Sequence, residues 1–182
     1  VLAHEAWHQF NSKLFVYRLP SWLDEGIATT FETPVYRGGR FIFDPSRNLG
    51  RLGGLRKTIL DGRLIPLRHL IALNPGYVID DSANVLAFYS QAYALVRFLR
   101  EDKYGKRLDD YHSLLMGGLL GRWPLSERHR RMAADRNIVL TAGFNAYVST
   151  ELFSMYVGSD IEKLEQEYIN FCRKLIYRVR LR

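Results

Sequence analysis

The chain of 182 residues has a single cysteine, Cys172. One thiol excludes an internal disulfide framework and any cysteine-rich metal site. No stretch is apolar for long enough to span a membrane, so no transmembrane segment is expected. Internal repeats, low-complexity tracts and a linker-like break are all absent, and one domain suits this length. The composition is not that of a disordered chain: 47% of residues are hydrophobic and 13% aromatic, enough for a real core. Histidine is scarce as well, with five in the chain. Two of them stand four positions apart in the first ten residues, "VLAHEAWHQF".

Acidic residues are in the minority. Lys and Arg number 26 against 19 Asp and Glu, a net charge of +7. Such a surplus can serve nucleic acid, an anionic surface or an acidic substrate. The surplus gathers at Arg37, Arg40, Arg47, Arg51, Arg56 and Lys57, and in the tail "RKLIYRVRLR". No nucleic-acid-binding motif surrounds either cluster. They read as solvated surface and a frayed end, and no nucleic-acid partner is expected.

The periodicity predicts a mainly α protein. A helix is expected over 1–12, ended by Asn11 and Ser12. A second starts at Ser21, with Ser21 as N-cap and Asp24 as its acidic partner, and runs to Thr33 before Pro34. Gly38-Gly39 between β-prone arms predicts a small hairpin near 35–43. A Gly- and Arg-rich loop from Asn48 to Gly54 leads to a helix near 54–61. A short helical piece in "IPLRHLIAL" and a turn at Asn74-Pro75-Gly76 follow. The strongest helix is expected over 83–104, with Leu86, Tyr89, Tyr93, Val96 and Leu99 mostly on one face and Gly105 closing it. Further helices are expected over 107–121, 125–134, 144–155 and 160–177.

His4-Glu5-Ala6-Trp7-His8 spells H-E-x-x-H. Residues four apart on a helix share a face, so His4 and His8 can turn ring nitrogens toward one ion. Glu5 projects about 100° round the helix, beside such an ion rather than onto it. From there it can take a proton from a metal-bound water. Five residues alone fit a polar helix face equally well. A catalytic zinc site needs a third protein ligand and an open position for water. Glu25, on the next helix, supplies that ligand. Asp24 competes, but two adjacent residues cannot point the same way on a helix. Thr29 and Glu32 follow Glu25 on its face and are expected to hydrogen-bond to the ligands. Trp7, Gln9 and Trp22 read as packing or supporting residues. His69, His112 and His129 lack ligand spacing.

"HEAWHQF" followed by "LPSWLDEGIATTFE" resembles the gluzincin metallopeptidases, with H-E-x-x-H on one helix and W-L-x-E-G-x-A on the next. It is particularly similar to bacterial peptidase-MA-like domains, a family of unknown function. These are distant relatives of zinc aminopeptidases of the leukotriene-A4-hydrolase type. The resemblance implies that Zn2+ is held by His4, His8 and Glu25, with Glu5 as general base. "FYSQAYALVRFL" resembles the aminopeptidase phrase that carries the oxyanion-stabilising tyrosine, which places that role on Tyr89. Tyr93, one turn on, is the runner-up. The closing segment "MYVGSDIEKLEQEYINFCRKL" is similar to the last helix of peptidase-MA-like domains.

The resemblance also has gaps. The ligand spacing is about two residues shorter than in the aminopeptidases. Their substrate-amine motif and edge strand would lie upstream of Val1. Val1 already sits in a helix pattern with no initiating Met before it, so the chain is expected to be an N-terminally truncated piece of a single domain. Its parts are the zinc helices (1–33), the hairpin and loops (34–82) and a helical subdomain (83–182). The implied fold is the helical catalytic part of a zincin-like fold whose upstream sheet is missing. The implied activity is hydrolysis of a peptide or protein substrate, and the family context favours an exported or cell-envelope setting. The alternative is a metal-containing binding or scaffold domain without turnover. Nucleic-acid binding rests on charge alone.

Overall fold

The structure, a computed structural model, describes residues 2–77, 80–137 and 141–177. It is mainly helical with one small antiparallel hairpin, as the periodicity predicts. Helix α1 (Leu2–Leu14) and helix α2 (Ser21–Thr30) lead into strands β1 (Pro34–Arg37) and β2 (Arg40–Phe43). After a 3₁₀ turn at Pro45–Arg47 come α3 (Leu49–Leu60), α4 (Leu67–Ala72), α5 (Ser82–Glu101), α6 (Leu108–Leu120) and α7 (Glu127–Ala134). A short α8 (Thr141–Gly143) runs into a π-helical stretch, Phe144–Ser149, then α9 (Thr150–Tyr156) and α10 (Ile161–Tyr177). Among the described residues no helix is long and apolar enough to cross a membrane. The end of the basic tail, 178–182, lies outside the described residues.

Helix α5 is the axis of the core, packed against α2, α3, α6 and α10. One apolar face was expected for it. Instead every residue from 87 to 99 is buried except Tyr89. Small residues, Ala87, Ser90, Ala92 and Ala94, let neighbours approach from several sides. The helix ends at Glu101 rather than near 104, because Lys103 and Tyr104 take left-handed φ values of 48° and 61°. Helix α10 presents a single stripe, Leu164, Tyr168, Phe171 and Cys172. Phe98 meets Tyr168 and Phe171 edge-on, and the Tyr168 hydroxyl donates to the Gln91 carbonyl at 2.8 Å. In the hairpin, Gly38 and Gly39 have φ of 59° and 76°. Two successive left-handed residues make the tight turn that matches strand twist.

Three boundaries near the front of the chain differ from expectation. Helix α1 continues through Asn11 and Ser12 to Leu14. The Asn11 amide is buried and donates to Asp24 at 2.9 Å, and Ser12 Oγ donates to the Gln9 carbonyl, so neither polar group frees itself to stop the helix. Ser21 is not the N-cap of α2: Pro20 is, and it offers no side-chain bond. The exposed N–H of Ser21 is met from far away, by Asn145 Oδ1 at 2.9 Å. Asn145 belongs to the π-helical stretch, whose wider turn also brings Ser149 to the Trp22 indole N–H at 3.1 Å. Helix α2 stops at Thr30, where the Phe31 N–H donates to the Ala28 carbonyl and the Glu32 N–H to the Thr29 carbonyl. That releases Glu32 from the helix. Finally, α3 begins at Leu49, inside the segment expected as loop, with Asn48 as its N-cap accepting from the Arg51 N–H.

Candidate metal centre

His4 and His8 project from one face of α1, their ring centroids 4.9 Å apart. Glu25 comes up from α2. Its Oε2 lies 3.3 Å from His4 Nε2 and 3.6 Å from His8 Nε2. Donors arranged tetrahedrally at about 2.0–2.1 Å from an ion stand roughly 3.3–3.4 Å from each other. Among the described residues this is the one group of three such side chains able to hold a metal ion together.

Glu25 Oε2 is enclosed and has no hydrogen-bond partner. A buried carboxylate oxygen is costly without a cation or a donor. This one faces two imidazole nitrogens whose other nitrogens are already engaged. Two imidazoles and one carboxylate are a donor set able to hold a divalent metal ion.

Each imidazole is oriented from behind by a carboxylate. His4 Nδ1 is 3.1 Å from Glu32 Oε1, and His8 Nδ1 is 3.2 Å from Asp24 Oδ1. Such pairings fix ring orientation and tautomer so that Nε2 is left for the ion. Asp24, which reads in the sequence as a competing ligand, therefore has a different task. Its Oδ1 also accepts from the Trp7 indole at 2.7 Å and the Asn11 amide at 2.9 Å. In the absence of metal the two acids favour a proton in its place. Asp24, and after it Glu25, hold His8 up at about 10 against the opposing effect of burial.

Glu32 is anchored in turn. Arg51 donates to both its oxygens, at 2.9 Å and 2.6 Å, and Asn48 Nδ2 donates at 2.8 Å. Burial would raise the Glu32 carboxyl, but the bonds from Arg51 and Asn48 outweigh it and hold it below its ordinary value. Thr29 does not share this work: its hydroxyl donates to the Gly26 carbonyl of its own helix at 2.6 Å. Asn48 and Arg51 were not legible as site residues, since they sit in what reads as a basic loop. The one local signal is Asn48, a good N-cap residue before a helical run.

Tyr89 and Tyr93 have different surroundings. The Tyr93 ring is fully buried, and its hydroxyl donates to the Pro45 carbonyl at 2.6 Å while accepting from Arg97 at 2.8 Å. Tyr89 is half-buried, and among the described residues its hydroxyl has no hydrogen bond. The Arg51 guanidinium lies 5.1 Å from the centre of its ring. Burial raises the Tyr89 phenol, with negative charge on Glu25, Glu5 and Glu32 adding to the rise and Arg51 opposing it. The contact with Arg51, which also holds Glu32, sets Tyr89 beside the residues that support the cluster. Glu5 is exposed and has no ion-pair partner among the described residues.

Of the other residues singled out, Trp7 supports Asp24, while Trp22 packs in the core with its N–H on Ser149. The Gln9 side chain is exposed and takes no part. His69 and His112 are exposed, and His129 pairs with Glu151. Comparison of the chain with protein-family models, with curated proteins and with solved structures finds no match.

Proposed function

We propose that the chain is a zinc-dependent peptide hydrolase, with His4, His8 and Glu25 as ligands. The observation that carries this reading is the enclosed, unpartnered Glu25 oxygen facing two imidazole nitrogens whose far sides are held by acids. The resemblance of "HEAWHQF" and "LPSWLDEGIATTFE" to the gluzincin pattern points the same way.

Bound zinc would polarise the scissile carbonyl and bring a water in the open position to a pKa of about 7. Glu32 and Asp24 keep both imidazoles aimed, so no rotamer has to be found during turnover. Glu5 accepts a proton from the attacking water and delivers it to the leaving amine. Its exposure leaves it free to make both transfers. Tyr89, with an uncommitted hydroxyl, donates to the oxyanion as charge builds there.

The test is Glu5→Gln, which preserves shape but cannot accept the proton. Zinc content and cleavage of a mixed peptide library are measured on the same preparations of wild type and variant. The reading expects about one zinc per chain in both and cleavage in the wild type alone. Cleavage by a zinc-replete Glu5→Gln variant rejects Glu5 as the base. Zinc without cleavage in either protein supports a scaffold role instead.

A further inference from the structure

Trp7 lines a cavity of about 310 Å³ that none of the three proposed ligands touches. Its walls are aromatic. Trp7 and Phe31 are 5.9 Å apart between ring centroids, Phe31 and Phe43 meet edge-on at 5.1 Å, and Tyr111 closes the α6 side. An apolar cavity of about 150 Å³ is enough for a benzene ring, so this one has room for a ring and a short arm.

The polar groups there are of one kind. Arg100 and His112 line the cavity and have no carboxylate partner among the described residues, and no acidic side chain lines it. Tyr111 is 5% exposed, and its hydroxyl makes no hydrogen bond with any described residue and is not fully enclosed. It is therefore open to a partner in the cavity that Tyr111 lines. The Thr30 hydroxyl, by contrast, is spent on the Ile27 carbonyl at 2.7 Å. Burial pushes the Tyr111 phenol up to about 12, with Arg100 pulling the other way, so it remains a proton donor at neutral pH.

We infer that this cavity binds a small aromatic carboxylate. The ring lies among Trp7, Phe31 and Phe43, and the carboxylate accepts from Arg100, the Tyr111 hydroxyl and a His112 ring N–H. A single planar anion matches one guanidinium plus neutral donors, whereas a doubly charged phosphate would call for more cations. The site is independent of zinc chemistry, though not isolated from it. Trp7 donates to Asp24, which stands 3.2 Å from His8, so an occupant on the Trp7 ring also leans on that support.

The probe is 3-phenylpropionate, titrated calorimetrically into the chain with and without zinc. Its uncharged twin, 3-phenylpropanol, and acetate are the controls. One saturable site with a dissociation constant of about 0.1–1 mM is expected, the range open to a ligand of this size. Both controls should bind at least about tenfold more weakly, and Arg100→Gln and Tyr111→Phe should each cost about threefold to tenfold. The Trp7 indole N–H resonance should shift with occupancy. No saturation of the folded wild type by about 10 mM overturns the site. Equal binding of the alcohol, or wild-type affinity in both variants, overturns the carboxylate assignment. Binding is expected in zinc-free protein too, so its failure is distinct from any failure to hold metal.

Discussion

Gly26, next to Glu25, lies where α2 packs directly against α5. A Cβ at this position would lie 2.5 Å from the Ala92 carbonyl oxygen and 2.5 Å from Val96 Cγ2. Carbon–oxygen contacts of this kind settle at about 3.3–3.6 Å, so Gly26→Ala must part the helices by roughly 0.8–1.1 Å. Val96 can turn away, but a helix carbonyl cannot. Overpacking of a tight core costs about 1–3 kcal/mol. Against it stands about 1 kcal/mol gained by replacing a helical glycine with alanine. The backbone contact places the cost at the upper end, so a net loss of about 1–2 kcal/mol is expected. For a chain of this length that lowers Tm by roughly 2–8 °C. Gly53→Ala is the control, because Gly53 is helical and nothing lies within 4 Å of its would-be Cβ. It should raise Tm by about 1–4 °C. Thermal and urea unfolding followed by circular dichroism read both. The triad rides on α1 and α2, while Tyr89 rides on α5, so Gly26→Ala should also keep metal and lose turnover by about 10²-fold. A Gly26→Ala protein as stable as wild type would refute the close packing of α2 on α5.

Further outcomes follow from the same contacts. Tyr89→Phe should lower kcat by about 10²–10³-fold with little change in KM and none in zinc affinity. Tyr93→Phe should instead lose about 1–2 kcal/mol of stability, since it strands the Pro45 carbonyl and an Arg97 N–H; the reverse pattern, in kinetics and urea melts, places the oxyanion donor one turn along. Glu32→Gln should weaken zinc binding by about 10–100-fold in a competitive chelator titration, because Gln cannot hold His4 Nδ1–H as a carboxylate does; an unchanged affinity would remove Glu32 from the site. Burial pushes the Cys172 thiol from an ordinary 9.0 up to about 12, and the Tyr93 and Tyr111 phenols from 10.0 to about 12. Between about pH 9 and 12 the unfolded chain therefore binds fewer protons than the folded one, and stability falls as pH rises. Urea midpoints of the metal-free protein should decline from about pH 6.5, where the raised His8 begins to count, and more steeply above about pH 9, less so over the first unit above 9 in Cys172→Ala; identical slopes above pH 9 would show that the thiol does not titrate on unfolding.

The His4 and His8 pair could be read from spacing because helical periodicity is local. His4 and His8 share a face of any helix that includes both, whatever packs against it. The same holds for the Gly38-Gly39 turn, where two residues alone select the backbone, and for the stripe on α10. The environment of Tyr89 was not local. Tyr89 and Tyr93 are one turn apart on the same helix, and their separate fates turn on Pro45, Arg97 and Arg51, residues brought in by other elements. The support behind the triad has the same origin. Asp24 looked like a rival ligand, and only the approach of α1 to α2 turned it toward His8 and Trp7. Ser21 looked like a cap, yet its N–H is answered by Asn145, 124 positions away. Asn48 and Arg51 looked like a basic loop and became the anchor of Glu32. A side chain's direction from its own helix follows from the dihedral angles of a few residues. The partner it meets there depends on how distant segments pack, and the pattern of one segment carries no record of that.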